Sequence, residues 1–175
     1  MYWVVIAIIA FIEIYTFVNV TFRKEEEPHL PYERPALSKG YLTGSEDLDH
    51  VYVKEADYYE QNQIDLLSGV SVTSIDRGAH SVTLDDGRVL GYGKLLLATG
   101  ASAWRLPLPG ADLDNVYTLR TIEDSLAIRS AAWTANATGK RALVLGGSFI
   151  GSEVASSLAQ LGAQQPDGTM LEAGT

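Results

Sequence analysis

The hydrophobic pattern is most continuous at the start of the chain. Residues 1–22 are almost all apolar and contain neither Gly nor Pro, and Arg23 and Lys24 follow directly. A run of this length can span a bilayer, and the basic pair favours a cytoplasmic C-terminal side. Glu13, near the middle, raises the free energy of membrane insertion by about 2.5–3.5 kcal/mol, and the favourable insertion of its apolar neighbours roughly offsets this cost. The pattern favours a membrane helix slightly over one or two buried strands, which the many β-branched residues also suit.

The second strong pattern lies near the C-terminal end of the chain. Branched aliphatic residues at 142–145 predict a buried parallel strand, and Val154, Leu158 and Leu161 then recur at helical spacing. The turn between the two elements consists of Gly146, Gly147, Ser148, Phe149, Ile150 and Gly151. A strand, a glycine turn and a helix bind the pyrophosphate of a dinucleotide, because the turn admits close approach and the first N–H groups of the helix face the anion. Ser148 stands where the middle glycine of this motif is usual.

An acidic residue after the next predicted strand supports the same interpretation. Dinucleotide sites usually place Asp or Glu about 20 residues after the turn, where it binds the ribose. Glu172 ends a predicted strand at 169–172, and it comes somewhat late because residues 164–168 look like a small insertion. The alternative is an ordinary strand, turn and helix whose glycines serve packing. Glu172 favours the dinucleotide site.

The middle of the chain predicts a small β-rich region. Its predicted parts are a strand through Val70, Val72 and Ile75, a strand at 81–84, a hairpin turn at 86–87, a return strand at 88–90 and a buried strand at 94–97. The last strand ends in residues 98–100, Ala-Thr-Gly, and a glycine there lets backbone approach a ligand.

Two polar segments carry candidate ligand contacts. Residues 25–42 are punctuated by proline, which predicts a loop, and Ser38 is predicted near the cap of a short helix. Arg34 and Lys39 either bring positive charge to an anionic ligand or are the cations of a solvated loop.

The second polar segment, residues 118–124, predicts the start of a helix. Thr121 is expected to cap that helix, with Asp124 three residues later in a box-like arrangement. Capping is the role that the pattern favours for Thr121. Arg120, directly before it, is the candidate ligand contact.

Composition narrows the classes of function. A net charge of −9 argues against nucleic acid as a partner, because nucleic-acid-binding proteins present a basic face. The absence of cysteine excludes a disulfide framework, a cysteine-ligated metal site and a redox-active dithiol. The three histidines lie far apart and lack metal-ligand spacing, so no metal site is predicted.

Four segments together carry a family resemblance. Residues 28–42 (PHLPYERPALSKGYL), 98–100 (ATG), 118–124 (TLRTIED) and 141–153 (RALVLGGSFIGSE) resemble the ferredoxin-reductase type of FAD-dependent pyridine nucleotide-disulfide oxidoreductases. The resemblance implies an α/β fold, an incomplete FAD/NAD(P)-binding two-dinucleotide-domain fold of Rossmann-like type with a small β-rich lobe. The expected parts are the N-terminal hydrophobic segment 1–22, a partial FAD-binding domain at 23–125, a helix and linker at 126–140, and the start of an NAD(P)-binding domain at 141–175.

The resemblance also implies an activity. Members transfer a hydride from NAD(P)H to FAD and pass electrons to an acceptor such as a 2Fe-2S ferredoxin. Lys39 and Glu153 match the family's charged pair beside the flavin, so they are the predicted catalytic pair. The implied cofactor-binding residues are Glu26, Arg34, Lys39, Val72, Ala98, Thr99, Gly100, Arg120, Gly146, Gly147, Ser148, Phe149, Ile150, Gly151 and Glu172. The expected location is cytoplasmic, with membrane contact through residues 1–22 as an added expectation.

The sequence departs from the family at both ends. Residues 1–22 contain no glycine, so the turn that cradles the FAD pyrophosphate is missing, and the sequence stops just after Glu172. Two hypotheses follow. The chain is a reductase or part of one, or it is a truncated, non-catalytic remnant that is unable to hold FAD and is tethered to a membrane by residues 1–22. A fragment, or a gene product with a replaced start and an early stop, would explain the departures.

Overall fold

The computed structural model describes residues 3–9, 17–23, 29–99 and 101–162, the first two ranges as backbone. Along the chain the elements are β1 (Trp3–Ile9), β2 (Phe17–Arg23), a 3-10 helix (Arg34–Ser38), α1 (Gly40–Thr43), α2 (Leu48–Val51), α3 (Ala56–Gln61), β3 (Ile64–Leu67), β4 (Val72–Asp76), β5 (Ser81–Leu84), β6 (Val89–Gly91), β7 (Leu96–Ala98), α4 (Ile122–Ala137) and α5 (Phe149–Gln160). The chain divides into two compact units, residues 1–31 with 53–102 and residues 32–52 with 103–175. The described residues thus form the expected α/β fold.

The first unit contains a four-stranded sheet in the order β3-β2-β1-β7. β1 pairs antiparallel with β2 from Trp3 opposite Arg23 to Ile9 opposite Phe17, while β2 and β3 run parallel. The predicted membrane helix at 1–22 is therefore wrong for residues 3–9 and 17–22, which lie in strands. A helix would satisfy the backbone N–H and C=O groups of this segment by hydrogen bonds between near neighbours. Here strand pairing, including pairing with the distant β3 and β7, satisfies them instead, and β-branched residues favour strands.

The helices give no support to a membrane span either. Among the described residues, no helix combines the length and the apolar character that crossing a bilayer requires. The longest, α4, has 16 residues, and a span needs about 20.

A three-stranded antiparallel sheet, β4-β5-β6, completes the first unit. Its core consists of Val82 and Leu84, with Val72 among the partly buried residues packed against them. The predicted hairpin at 86–87 is confirmed, since Gly87 adopts φ +86° and its N–H donates to the carbonyl of Leu84 at 3.1 Å. The Asp86 carboxylate accepts the N–H of Arg88, which holds the turn closed.

The predicted buried strand at 94–97 differs from the structure in position and burial. β7 spans Leu96–Ala98, and the side chains of Leu96 and Leu97 are more than half exposed. Successive residues of a strand face opposite sides of the sheet, so neither side is well covered at this point. β7 is also the edge strand of the sheet that the described residues form, with β1 as its neighbour on one side.

The second unit packs short helices on α4 and α5 around two hydrophobic clusters. One cluster contains the buried residues Leu42, Ile128, Ala132, Val154 and Leu158, and the other contains Tyr32, Leu37, Tyr41, Val51 and Ile122. The predicted capping box is confirmed, because Thr121 accepts the N–H of Asp124 and the Asp124 side chain accepts that of Thr121. These clusters fix where the 3-10 helix and α1 meet α5.

The strand predicted at 142–145 is not a regular strand in the structure. Its side chains still alternate, since Ala142 and Val144 pack against the first cluster while Leu143 and Leu145 are more than half exposed. A strand needs a hydrogen-bonded neighbour, and no described strand pairs with residues 142–145. The strand predicted at 169–172 lies outside the described residues.

Candidate functional site

The second unit brings Lys39 and Glu153 together as an ion pair. The Nζ atom of Lys39 lies 2.8 Å from Oε1 of Glu153, and the two side chains are 52% and 30% exposed. Lys39 sits between the 3-10 helix and α1, where its N–H donates to the carbonyl of Ala36 and its carbonyl accepts the N–H of Thr43. Such partly exposed pairs contribute little to stability, and the role of this pair beside a flavin stays a prediction.

The second oxygen of Glu153 also has a donor. The hydroxyl of Ser38 donates to Oε2 of Glu153 at 2.5 Å, so consecutive residues hold the two oxygens of one carboxylate. The pKa of Glu153 therefore lies below its usual value, first because of the hydrogen bond from Lys39 and then because of that from Ser38. Glu153 is a carboxylate at neutral pH and acts as a hydrogen-bond acceptor.

Ser38 lies next to the cap of α1, as the sequence predicts, but its hydroxyl makes no cap bond. It is the last residue of the 3-10 helix, and Lys39, which caps α1, makes no side-chain cap bond. Sequence reasoning also missed Ser157, whose hydroxyl donates to the carbonyl of Ser38 at 2.7 Å. The only available signal was its place four residues after Glu153 on the same helix, a spacing that puts both side chains on one face.

The ion pair lines an open groove of about 410 Å³ in the second unit. One side comes from the region of α1 and the other from α5. Its lining residues are Lys39, Gly40, Thr43, Ser45, Ser152, Glu153, Ser156, Ser157 and Gln160. The charged pair is therefore reachable from solvent.

The turn before α5 has the backbone that a phosphate site needs. Gly146 adopts φ +113°, a conformation that favours glycine. A Cβ atom on Gly151 would lie 2.0 Å from the carbonyl oxygen of Gly146, so this position tolerates no side chain without movement. Among the residues that the structure describes, nothing lies within 4 Å of a Cβ atom on Gly147, and Phe149 is 91% exposed.

The start of α5 is consequently open to a ligand. Ser148 is its N-cap residue but makes no side-chain cap bond, and the first turn of any helix has N–H groups without a partner inside the helix. These donors and the helix dipole favour an anion at this end of α5. The described turn therefore fits the pyrophosphate of a nicotinamide dinucleotide.

The described residues do not supply an equivalent turn for the FAD pyrophosphate. Residues 1–39 contain no glycine, and β1 pairs antiparallel with β2, whereas the motif requires a parallel crossover with a glycine turn. Of the predicted FAD contacts, Glu26 and Gly100 lie outside the described residues, as does Glu172 of the dinucleotide site. The first unit thus lacks, in its described part, the phosphate cradle that the family resemblance implies.

The remaining predicted contacts lie in both units. In the first unit, Val72 packs in the β-rich core, Ala98 ends β7 and Thr99 follows it. In the second, Nη1 of Arg34 donates to the carbonyl of Arg120. That bond ties the loop to the turn before α4, and the ligand roles of all five residues stay predictions.

The comparisons with known proteins agree with these motifs. Residues 9–175 match the model of the family described as pyridine nucleotide-disulphide oxidoreductase. The ferredoxin reductase component of chlorobenzene dioxygenase from Cupriavidus sp. is 44% identical over 78% of this chain and 32% of its own length. The ferredoxin–NAD(+) reductase subunit of the benzene 1,2-dioxygenase system of Pseudomonas putida is 42% identical over 85% of this chain and 34% of its own.

Solved structures show the same relationship. The ferredoxin reductase for the CYP199A2 system from Rhodopseudomonas palustris is 33% identical with a TM-score of 0.73, over 86% of this chain and 35% of that one. Putidaredoxin reductase, in its covalent complex with putidaredoxin, is 37% identical with a TM-score of 0.69, over 78% and 32%. This chain spans about a third of the length of these relatives. On its motifs, its fold and these matches, it belongs to the pyridine nucleotide-disulphide oxidoreductase family, among the ferredoxin-reductase type.

Proposed function

We propose that this chain contributes the nicotinamide-dinucleotide turn and the flavin-adjacent charged pair of an FAD-dependent NAD(P)H oxidoreductase of the ferredoxin-reductase type. The observation that carries the proposal is that both features belong to one helix. The glycine turn opens α5 and Glu153 follows five residues after its N-cap, an axial distance of about 7.5 Å. A rigid helix thus links the place for an anion to the ion pair.

Each residue in this site has a proposed task. The open backbone at Gly146 and Gly147 and the first N–H groups of α5 hold the dinucleotide phosphates. Glu153 stays ionised and orients the ammonium group of Lys39, so that a fixed positive charge lies beside the flavin. Bound FAD would supply the chemistry, accepting a hydride and releasing single electrons.

The electron acceptor that we propose is a 2Fe-2S ferredoxin. The support is that several relatives are described as ferredoxin reductase components of dioxygenase systems. One similar structure is a reductase in complex with putidaredoxin.

The dinucleotide site is tested by Gly147→Ala. The new methyl group meets no atom of the described residues within 4 Å, so it leaves the fold around it intact, but it occupies the space through which phosphate would approach. Loss of charge-assisted hydrogen bonds should weaken NADH binding by on the order of tenfold or more, measured by nicotinamide fluorescence. Gly91→Ala is the matched control, since its nearest neighbour lies at 3.9 Å in the first unit. Equal affinity of both variants would refute the site.

A second candidate function rests on the pairing of β1 with β2. Because the two strands are antiparallel, where an FAD-binding motif has a parallel crossover with a glycine turn, this observation favours a non-catalytic chain that does not hold FAD. The visible absorbance of the purified chain after incubation with FAD distinguishes the two candidate functions. Retained flavin that NADH bleaches supports the reductase, whereas a colourless protein supports the non-catalytic chain.

A further inference from the structure

Three buried serines surround the segment that carries Lys39. Ser38, Ser125 and Ser157 are the buried polar side chains among the described residues, each at most 3% exposed. The hydroxyl of Ser125 donates to the carbonyl of Leu37 at 2.9 Å, and that of Ser157 donates to the carbonyl of Ser38 at 2.7 Å. The polar groups that this unit buries are thus concentrated on the two residues before Lys39.

α5 holds this segment at two points. Glu153 and Ser157 are one helical turn apart and face the same way. Glu153 accepts from the side chains of Ser38 and Lys39, while Ser157 donates to the main chain of Ser38. The carbonyl of Ser38 lies at the end of the 3-10 helix, where it has no partner within that helix, so Ser157 supplies the missing donor.

α4 contacts the same segment one residue earlier. The hydroxyl of Ser125 donates to the carbonyl of Leu37, whereas the hydroxyl of Ser38 donates to Glu153. The three serines are alike in burial. Ser38 bonds the carboxylate itself and Ser157 bonds the main chain of Ser38, whereas Ser125 bonds only the preceding residue, Leu37, so Ser125 provides an internal control.

We infer that Ser38 and Ser157 are positioning residues for the Lys39–Glu153 pair: Ser38 directs one oxygen of the carboxylate, and Ser157 fixes the backbone from which Ser38 and Lys39 project. The functional meaning of this inference rests on the proposed reductase site, because only there does the pair face a redox cofactor. The positioning itself concerns this chain alone.

The buried position of Ser38 explains why a hydroxyl serves better than a second charge. The carboxylate already has one cation on Oε1, and a neutral donor on Oε2 orients it without adding a buried charge that would need its own partner. The bond from Ser38 favours the ionised form, so its removal must make protonation of Glu153 easier. That effect is measurable without any cofactor.

The test is a carboxyl titration by ¹³C NMR on the full chain, with the Glu153 signal identified by its loss in Glu153→Gln. Ser38→Ala should raise the pKa of Glu153 relative to wild type. Ser157→Ala should raise it as well, and Ser157→Thr, which keeps the hydroxyl, should restore it. Ser125→Ala should leave the titration unchanged although it also removes a buried hydrogen bond.

Two results would overturn the inference. One is a Ser38→Ala titration that coincides with wild type, and the other is an equal shift in Ser125→Ala, which would mean that general loosening is responsible. If Ser157→Ala does not fold, the comparison of Ser38→Ala with Ser125→Ala still decides.

Flavin reduction by NADH, measured separately, tests the proposed function. Shifted titrations in a protein that never reduces FAD would refute the reductase and support the positioning. If FAD is reduced but the titration of Glu153 is unshifted in the serine variants, the reductase is supported and the positioning is refuted.

Discussion

Two glycines four residues apart in the α5 motif should respond oppositely to the same substitution. At Gly151 the new Cβ atom would lie 2.0 Å from the carbonyl oxygen of Gly146, and Cβ contacts below 3.0 Å essentially never occur. The helix and the turn must therefore separate by at least 1 Å. Overpacking of this kind costs about 1–3 kcal/mol.

At Gly147 the same methyl group enters open space, and the backbone there is not left-handed. The substitution removes conformational freedom from the unfolded chain, which is worth about 0.4–1 kcal/mol where the native conformation is compatible. Gly147→Ala should therefore leave stability unchanged or raise it slightly. The two variants should differ by about 2 kcal/mol in the free energy of unfolding.

Urea denaturation followed by far-UV circular dichroism measures this difference. With a slope of about 2 kcal/mol per molar urea, Gly151→Ala should unfold about 1 M earlier than Gly147→Ala. Equal midpoints would show that the helix does not press against the turn, and the reasoning about the phosphate site would fail with it.

Four further outcomes follow from the contacts of the second unit. Thr121→Ala removes the acceptor for the N–H of Asp124 and should cost about 1 kcal/mol in thermal unfolding, with Thr121→Ser restoring most of it. Leu42→Ala empties a fully buried position between α1, α4 and α5 and should cost about 2–5 kcal/mol, whereas Leu96→Ala at the exposed sheet edge should cost far less. The pKa of Glu153 is lowered in the folded state, so the ionised carboxylate stabilises the protein fully above the ordinary carboxyl pKa of about 4.3, and this stabilisation is lost as pH falls through the folded-state pKa. The difference in unfolding free energy between wild type and Glu153→Gln should therefore shrink as the pH is lowered through this interval. A difference that grows on acidification would contradict the assignment. If a flavin binds, Lys39→Ala should slow its reduction by NADH more than it lowers the melting temperature, and equal losses would show that Lys39 is structural.

Local rules predicted the elements whose hydrogen bonds close within a few residues. The hairpin at 86–87 depends on a glycine with positive φ, and the start of α4 depends on Thr121 and Asp124, three residues apart. α5 follows from its apolar spacing after the glycine turn. In each case the stabilising partners are neighbours in sequence, so the pattern contains the information.

The N-terminal segment shows where local pattern was insufficient. By its pattern alone, this apolar, β-branched run favoured a membrane helix only slightly over one or two buried strands. Its state was decided by β3 and β7, which begin more than 40 residues after β2 ends. The same reason accounts for residues 142–145, whose strand-like alternation lacks a described neighbour.

The sequence by itself determined that α5 begins after a glycine turn, and, through family resemblance, that Lys39 and Glu153 belong together. Only the tertiary structure decided how they meet. Ser38 and Glu153 are 115 residues apart, and Ser38 and Ser157 are 119 apart. No periodicity links positions so distant, because a hydroxyl finds its acceptor only after helices pack their apolar faces and bring the two chain segments within hydrogen-bonding distance.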